Sequence, residues 1–296
     1  MEKITSPEES LMPNPSDASQ WTSIIRPASG WFDFHLSELW RYRDLIMLFV
    51  RRDFVSVYKQ TILGPLWFLI QPLLTAVVFT IIFGRIAKIP TDGLPRMLFY
   101  LSGVVVWNYF AACLSKTFDT FVGNAHVFGK VYFPRLTVPV SVVISNLVTF
   151  GIQFTLFLFF LVYFSVNGST INQQPSIVFL PLLILQMAAL GLGFGIIVSS
   201  LTTKYRDLSQ LVGFGVQLWM FATPIVYPAS RVPAKWQWIM ALNPMAPIIE
   251  FFRFSFLGAG TVNPLQMGMS VVTTLLVLFS GIVLFSRIEK NFMDTV

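Results

Sequence analysis

Charge is scarce in this sequence. Only 11% of its 296 residues are Asp, Glu, Lys or Arg, against about 25% in a typical soluble domain. Apolar residues make up 55% of the chain, which is more than a water-soluble fold of this length could bury. This balance excludes a disordered chain and a coiled coil, and it predicts a membrane protein. In a membrane protein, the net charge of +6 reflects how the chain is oriented in the membrane. It does not indicate nucleic-acid binding, which would need a soluble basic face.

Residues that usually carry catalysis or bind metals are also rare. Cys113 is the only cysteine, so no intrachain disulfide can form, and the two histidines, His35 and His126, are far apart. No H-E-x-x-H or C-x-x-C spacing occurs, and the glycines before Lys130 lack the spacing of a phosphate loop. We therefore expect no metal, no directly bound cofactor and no enzymatic activity. An ATP-driven process would need its nucleotide site on another chain.

Long intervals without charge set the predicted topology. They cover residues 60–84, 97–115, 136–203, 208–230 and 254–286. A spanning helix needs about 20 apolar residues, and the longest interval breaks at the turn-rich stretch 167–175, so it holds two helices. The predicted fold class is an all-α membrane protein with six transmembrane helices, at about residues 61–84, 97–114, 139–166, 177–200, 208–228 and 263–285. The interval 236–249 is too short to span, which favours short re-entrant helices on the outer side.

The distribution of Lys and Arg predicts the orientation. With the N-terminus inside, 14 of these residues lie on the inner side and 6 on the outer side. This bias favours cytoplasmic N- and C-termini in the cytoplasmic (inner) membrane. Residues 1–34 are predicted to form a disordered cytoplasmic tail and residues 35–296 a transmembrane domain. The spans contain almost no ionisable residues, which argues against coupling to protons or sodium ions.

Two cytoplasmic segments carry aromatic and basic residues together. Residues 31–58 form an amphipathic segment that includes Trp40, Arg41 and Arg43. Such helices lie in the membrane interface; the alternative is a helix packed on its own protein. Residues 115–139 form the longest inner loop between spans, and its aromatic and basic residues favour contact with a soluble partner. The predicted contact residues are His126, Phe128, Lys130, Tyr132 and Arg135. The alternative is that this loop is anchored at the membrane surface.

Neutral polar and aromatic residues recur at helical spacing on two spans. Phe68 and Gln71 share a face of the first span, and Phe214, Gln217 and Phe221 share a face of the fifth. These faces indicate either helix packing or the wall of a polar pathway.

The outer segment contains one pair of opposite charges. Glu250 and Arg253 are three residues apart and can pair on one helical face. The pair is either a structural tie or part of a transport device. If the pairing itself is what matters, exchanging the two charges should partly restore the export or assembly that a single reversal impairs.

Gly191 and Gly195 on the fourth predicted span have the spacing that permits two helices to approach closely.

Four segments together resemble one family. They are residues 51–67 (RRDFVSVYKQTILGPLW), 124–135 (NAHVFGKVYFPR), 204–208 (KYRDL) and 243–253 (NPMAPIIEFFR). In this order they are similar to type-2 ABC exporter permeases of the polysaccharide branch, and the pattern looks closest to O-antigen export permeases. The resemblance covers residues 35–290, so the tail falls outside it.

The resemblance implies a transport permease rather than an enzyme. It implies a homodimer of six-helix subunits, with two copies of a separate ATPase that bind ATP and magnesium, in contact with membrane lipid and without nucleic acid. The cargo would be a lipid-linked polysaccharide that threads past Phe68, Gln71, Phe214, Gln217 and Phe221. Trp40, Arg41 and Arg43 would lie in an interface helix, the loop around His126–Arg135 would hold a coupling helix, and Glu250 and Arg253 would lie in short outer gate helices. The alternatives are a permease for teichoic acid, capsule or a small amphiphile, or a membrane-embedded glycosyl- or acyltransferase.

Overall fold

A computed structural model describes residues 36–59, 63–120, 133–202 and 208–291. All of them belong to one unit, Phe34–Val296, and the predicted tail, 1–34, lies outside the described residues. The described ranges contain helices, turns and loops, and no strand. This agrees with the all-α prediction.

Ten α-helices follow one another along the described chain. They are α1 (Leu36–Arg41), α2 (Arg43–Lys59), α3 (Trp67–Phe79), α4 (Arg96–Phe118), α5 (Thr137–Val166), α6 (Leu180–Thr202), α7 (Leu208–Ala222), α8 (Gln237–Leu242), α9 (Met245–Leu257) and α10 (Pro264–Asn291). A 3₁₀ turn at Gly64–Leu66 precedes α3, and a π-helix, Thr80–Ile86, continues it. Further 3₁₀ turns lie at Pro175–Phe179, Ala229–Arg231 and Ala234–Trp236.

Five helical segments are long and apolar enough to cross a membrane. They are Gly64–Ile86, Arg96–Phe118, Thr137–Val166, Pro175–Leu201 and Pro264–Phe285. The predicted span at 208–228 is different, because the helix α7 has only 15 residues and is about 22 Å long at 1.5 Å per residue. It ends before Pro224, which has no backbone N–H to donate and would clash with the preceding helical turn. The predicted count of six spans is therefore not confirmed by helix length.

Helix α4 is the centre of the packed structure. It contacts α3, α5, α6, α7 and α9, and most of its spanning length is buried inside the chain. Its closest neighbour is α6, where a Cβ on Gly195 would lie 2.5 Å from the Thr117 Cβ. A Cβ on Gly191 would lie 2.7 Å from the Cys113 Cβ. The predicted close approach at these two glycines is thus confirmed, and its partner helix is α4.

The two ends of the helical bundle are made by different parts of the chain. At one end, Phe49 of α2 packs in an apolar cluster with Phe133, Val138, Ile196 and Phe285. At the other end, α9 packs beside the start of α4 and the loop before α6, where the backbone N–H of Gln174 donates to the Ser255 carbonyl. We call these the α2 end and the α9 end.

Candidate functional site

The predicted interface helix has one covered face and one open face. Ile46, Phe49 and Val50 of α2 are buried against the protein, and the Phe49 and Phe133 rings lie 5.9 Å apart. This face agrees with the alternative of a helix packed on its own protein. The open face mixes apolar and basic side chains, since Trp40 is 73% exposed and Arg43 lies 5.9 Å from its ring.

The rest of the open face has the same mixed character. Met47 and Leu48 are each 61% exposed, and Arg41 and Arg51 are exposed beside them. A helix with these two faces can lie between the protein and a membrane surface. Its placement in the membrane interface stays a prediction.

The predicted pathway residues lie on two helices that flank α4. Helix α3 packs on α4 and α5, whereas α7 packs on α4 and α6. Phe68 is half-buried and Gln71 is exposed. Phe214 is 60% exposed, and Gln217 and Phe221 are also exposed. Within one chain four of these five side chains are exposed, so they do not form a closed pathway by themselves.

Helix α7 is held to the bundle by its opposite face. The Trp219 ring lies 6.1 Å from the Trp107 ring and 5.1 Å from the Phe110 ring, both on α4. It also lies 5.2 Å from the Phe194 ring on α6. Aromatic packing on one side therefore orients the face that carries Phe214 and Gln217 towards the outside of the chain.

Helix α9 contains the predicted ion pair in a fully buried setting. Arg253 Nη1 lies 3.3 Å from Glu250 Oε1, and the two residues are 1% and 3% exposed. Burial lowers the pKa of Arg253 to about 10, and the carboxylate of Glu250 opposes this shift, so the guanidinium carries its charge at neutral pH. The pairing inferred from the i, i+3 spacing is confirmed.

The guanidinium of Arg253 binds much more than Glu250. It donates hydrogen bonds to the Pro224 carbonyl, to the Ile225 carbonyl at 2.8 Å and to the Ser102 hydroxyl at 3.3 Å. It also lies 3.8 Å from the centre of the Phe99 ring. These contacts join three elements: α9, the start of α4 and the turn that ends α7.

The other carboxylate oxygen of Glu250 is also occupied. Oε2 accepts hydrogen bonds from the backbone N–H of Thr261 at 2.9 Å and from its hydroxyl at 3.3 Å. Thr261 lies just before α10, so the pair connects α9 to the last spanning helix. We call Arg253, Glu250 and their partners the Arg253 knot. Because every group in the knot has a partner, it has the character of a structural tie.

Glycines lie at two places near the knot, one on α4 and one at the end of α9. A Cβ on Gly103 would lie 2.8 Å from Arg253 Nη2, so a larger residue at this position of α4 would displace the Arg253 guanidinium. Helix α9 ends at Gly258, whose φ of 71° is left-handed and whose N–H donates to the Phe254 carbonyl at 3.0 Å. This is a common glycine C-cap.

A second buried junction was not predicted from the sequence. Asn243 accepts hydrogen bonds at Oδ1 from Trp219 Nε1 and from the backbone N–H of Met245, both at 3.0 Å. Its amide group donates to the Thr223 hydroxyl at 2.9 Å. Asn243 thus fixes the start of α9 to the end of α7. The sequence signal was an Asn two residues before a helix, where its side chain can accept from the backbone.

Two hydrogen bonds between polar side chains link α4 to α5. Asn108 Nδ2 donates to Gln153 Oε1 at 3.3 Å, and Lys116 Nζ donates to Asn146 Oδ1 at 2.9 Å. These bonds give Gln153 and Asn146 polar partners inside the protein, which lipid would not offer.

The predicted coupling loop is mostly outside the described residues. His126, Phe128, Lys130 and Tyr132 all lie there, and their role stays a prediction. Arg135 is described and is partly buried in the turn before α5. In the ranges that the structure describes, no three His, Cys, Asp or Glu side chains gather as metal ligands.

Comparisons with known proteins identify the family of this chain. The O-antigen export system permease protein RfbA of Klebsiella pneumoniae is 27% identical over 85% of this chain and 94% of its own. RfbA of Myxococcus xanthus is 28% identical over 74% and 82%. The polysialic acid transport protein KpsM of Escherichia coli is 19% identical over 79% and 89%. The family model "ABC-2 type transporter" matches residues 44–257, a range that includes nearly all of α2, the helices α3 to α9, and both Glu250 and Arg253. The chain therefore belongs to the ABC-2 type transporter family, the family of transport permeases that are not themselves enzymes.

Proposed function

We propose that this protein is the transmembrane subunit of an ATP-driven exporter that moves a lipid-linked polysaccharide of the O-antigen type across the cytoplasmic membrane. The main support is the match to the family together with relatives named for O-antigen and polysialic acid export. A polymer is too long to be enclosed in one cavity, so it would be threaded through a continuous channel.

Two copies of the chain would form that channel. Gln71 on α3 is exposed, and so are Phe214, Gln217 and Phe221 on α7, while Phe68 on α3 is half-buried. A second copy facing these helices would enclose the polar and aromatic side chains. Aromatic rings and neutral amides suit a glycan that slides through a channel, because they contact sugars without binding any one sugar tightly.

The chain would cross the membrane six times with both termini in the cytoplasm. The support is that α2 and α10 share the apolar cluster of Phe49 and Phe285, which favours an even number of crossings between them. Helix α7 would then be the fifth of six crossings in chain order, completed by the turn after it. The excess of Lys and Arg on the α2 side favours a cytoplasmic α2 end and an outer α9 end.

A separate ATPase would supply the energy, with ATP and magnesium bound on that partner. The loop between α4 and α5 would dock it through His126, Phe128, Lys130, Tyr132 and Arg135, as such aromatic and basic residues are common at binding hot spots. On the outer side, α8 and α9 would act as gate helices, with the Arg253 knot fixing α9 in position.

Deleting the gene in the native host tests the proposed function. Surface polysaccharide should disappear while the lipid-linked form accumulates inside, and the intact gene should restore export. Unchanged O-antigen with loss of capsule, teichoic acid or a small amphiphile would transfer the proposal to that cargo. If the cell surface of the deletion strain keeps all of these molecules, the proposed function is contradicted.

A double substitution tests the coupling loop. Phe128→Ala with Tyr132→Ala should weaken binding of the ATPase about tenfold or more, and less of it should co-purify. Two hot-spot anchors together typically contribute more than about 1.4 kcal/mol to the free energy of binding, which corresponds to a factor of ten. The matched control is Phe159→Ala with Tyr163→Ala, an aromatic pair of the same spacing that is exposed on α5. If both variants bind the ATPase and export equally well, the loop does not couple.

Cysteine labelling tests the orientation. Thr170 and Asp44 are exposed near opposite ends of the bundle, and the native Cys113 is fully buried. A membrane-impermeant thiol reagent added outside should modify Thr170→Cys and leave Asp44→Cys unmodified until the membrane is opened. The reverse pattern would invert the proposed orientation.

A further inference from the structure

Five basic residues gather at the α9 end of the bundle. Arg85 and Lys88 lie at the end of the first spanning segment, Arg96 begins α4, and Arg231 and Lys235 lie between α7 and α8. All five are exposed, and within the described ranges none of them lies within 4.0 Å of a carboxylate. We call this set the basic rim.

The rim is one surface made by two distant parts of the chain. Ser230 donates to the Asp92 carboxylate, with its hydroxyl 3.1 Å from each oxygen. This bond joins the loop after Lys88 to the segment that carries Arg231 and Lys235. The loop is further held by the bond from the Thr91 hydroxyl to the Leu94 carbonyl at 2.7 Å.

Acidic residues do not balance these charges. The segments at this end, 85–96, 167–174 and 223–263, contain two acids, Asp92 and Glu250. Glu250 is buried and paired with Arg253, and Asp92 accepts from Ser230. Segment 167–174 contains no charge. The excess positive charge at this end is therefore concentrated in the rim.

Aromatic residues indicate the depth of the rim relative to a membrane. Trp236 is 49% exposed and Trp238 is 60% exposed, and the Lys235 ammonium lies 5.6 Å from the Trp236 ring. Exposed Trp residues next to spanning helices settle at the level of lipid headgroups. Arg85 and Arg96 lie at the ends of spanning segments, so they reach the same level. At that level the abundant anion is lipid phosphate.

We propose that the basic rim binds the headgroups of anionic phospholipids in the leaflet at the α9 end. Lys and Arg beside a membrane surface attract acidic lipids within a Debye length. Arg231 and Lys235 lie six and ten residues after Ile225, whose carbonyl binds Arg253, as does the carbonyl of Pro224. Lipid bound to the rim therefore holds the segment before α8 and stabilises the Arg253 knot. This inference does not depend on which cargo the protein transports.

Thermal unfolding in lipid nanodiscs tests the proposal. The melting temperature of the unaltered protein should rise by several degrees when phosphatidylglycerol is added to phosphatidylcholine discs. Lys88→Gln with Arg231→Gln and Lys235→Gln should lose at least half of that rise. The matched control, Lys88→Arg with Arg231→Lys and Lys235→Arg, keeps each charge and should keep the full rise. A full rise in the neutral triple variant would overturn the proposal.

Two further measurements distinguish lipid binding from binding of a soluble anion and from damage to the fold. Inorganic phosphate added to phosphatidylcholine discs should not raise the melting temperature; a rise equal to that given by phosphatidylglycerol would assign the site to a soluble anion instead. Equal melting temperatures for the three proteins in phosphatidylcholine alone would show that the substitutions leave the fold intact. If the neutral triple variant does not fold, the single changes Arg231→Gln and Lys235→Gln are compared in the same way, and each should lose part of the rise. No loss in either would overturn the proposal.

Discussion

Replacing Arg253 by alanine should destabilise the protein by about 3–5 kcal/mol, because it leaves the buried carboxylate of Glu250 without its partner. It also leaves the Pro224 and Ile225 carbonyls without their donor. Little folded protein should elute as a single peak in size-exclusion chromatography after mild heating. Arg253→Lys should be less severe, since an ammonium can reach some but not all of the acceptors that a planar guanidinium holds.

The matched control for Arg253 is an exposed arginine at the same end, Arg231→Ala, which should change stability by less than about 0.5 kcal/mol in detergent. Glu250→Gln should also be milder than Arg253→Ala, because glutamine keeps an acceptor for the Thr261 N–H.

The contacts of Arg253 change what we expect from exchanging Glu250 and Arg253. An exchange of Glu250 and Arg253 would place a carboxylate among the carbonyls of Pro224 and Ile225, so it should not restore stability. Wild-type stability in the swapped protein would mean that the pair alone, and not the knot, is what matters.

Gly195→Val should be the most disruptive single change between spanning helices. A Cβ at this position would lie 2.5 Å from the Thr117 Cβ and 2.9 Å from the Leu114 carbonyl oxygen. Neither atom is the end of a flexible side chain, so α4 and α6 must separate. Overpacking of this kind costs about 1–3 kcal/mol, and the two extra methyl groups of valine raise the cost further. The melting temperature in detergent measures the loss.

Two comparisons isolate the steric cause. Gly151→Ala on α5 is the control, since no atom lies within 4 Å of its added Cβ; alanine there should be neutral or stabilise by up to about 1 kcal/mol. Gly195→Ala should be destabilising, and Thr117→Gly should partly rescue it by removing the clashing atoms. The Thr117 hydroxyl has no hydrogen-bond partner in the structure, so its removal leaves no partner unpaired. Failure of this rescue would point to the Leu114 carbonyl as the main obstacle.

Local patterns in the sequence were sufficient for the long helices and for pairs within one helix. Apolar runs predicted six spanning segments, and five of them match helices of spanning length, because helix length and hydropathy are local properties. The spacing of Glu250 and Arg253 predicted their contact for the same reason. The short α7 was missed, because a charge-free interval measures polarity and does not register where Pro224 ends the helix.

Contacts between distant segments could not be read from spacing. Ser102 and Arg253 are 151 positions apart, and nothing local to either residue indicates the other. The same limit applies to Asn243 and Trp219, whose bond depends on how α7 lies against α8 and α9. Gly103 could have been noticed as a glycine in an apolar run, but its reason, the room it leaves for Arg253, is visible only in three dimensions.

The length of chain between Ser102 and Arg253 has a consequence for biosynthesis. Ribosomes add about 5–20 residues per second, so α4 is made about 8–30 s before Arg253 is added. During that time the second span rests in the membrane without the donor that its Phe99 carbonyl and Ser102 hydroxyl later meet. The Arg253 knot can therefore close only near the end of translation, and a nascent chain that stops before α9 lacks the contacts that join α4, the turn after α7 and the start of α10.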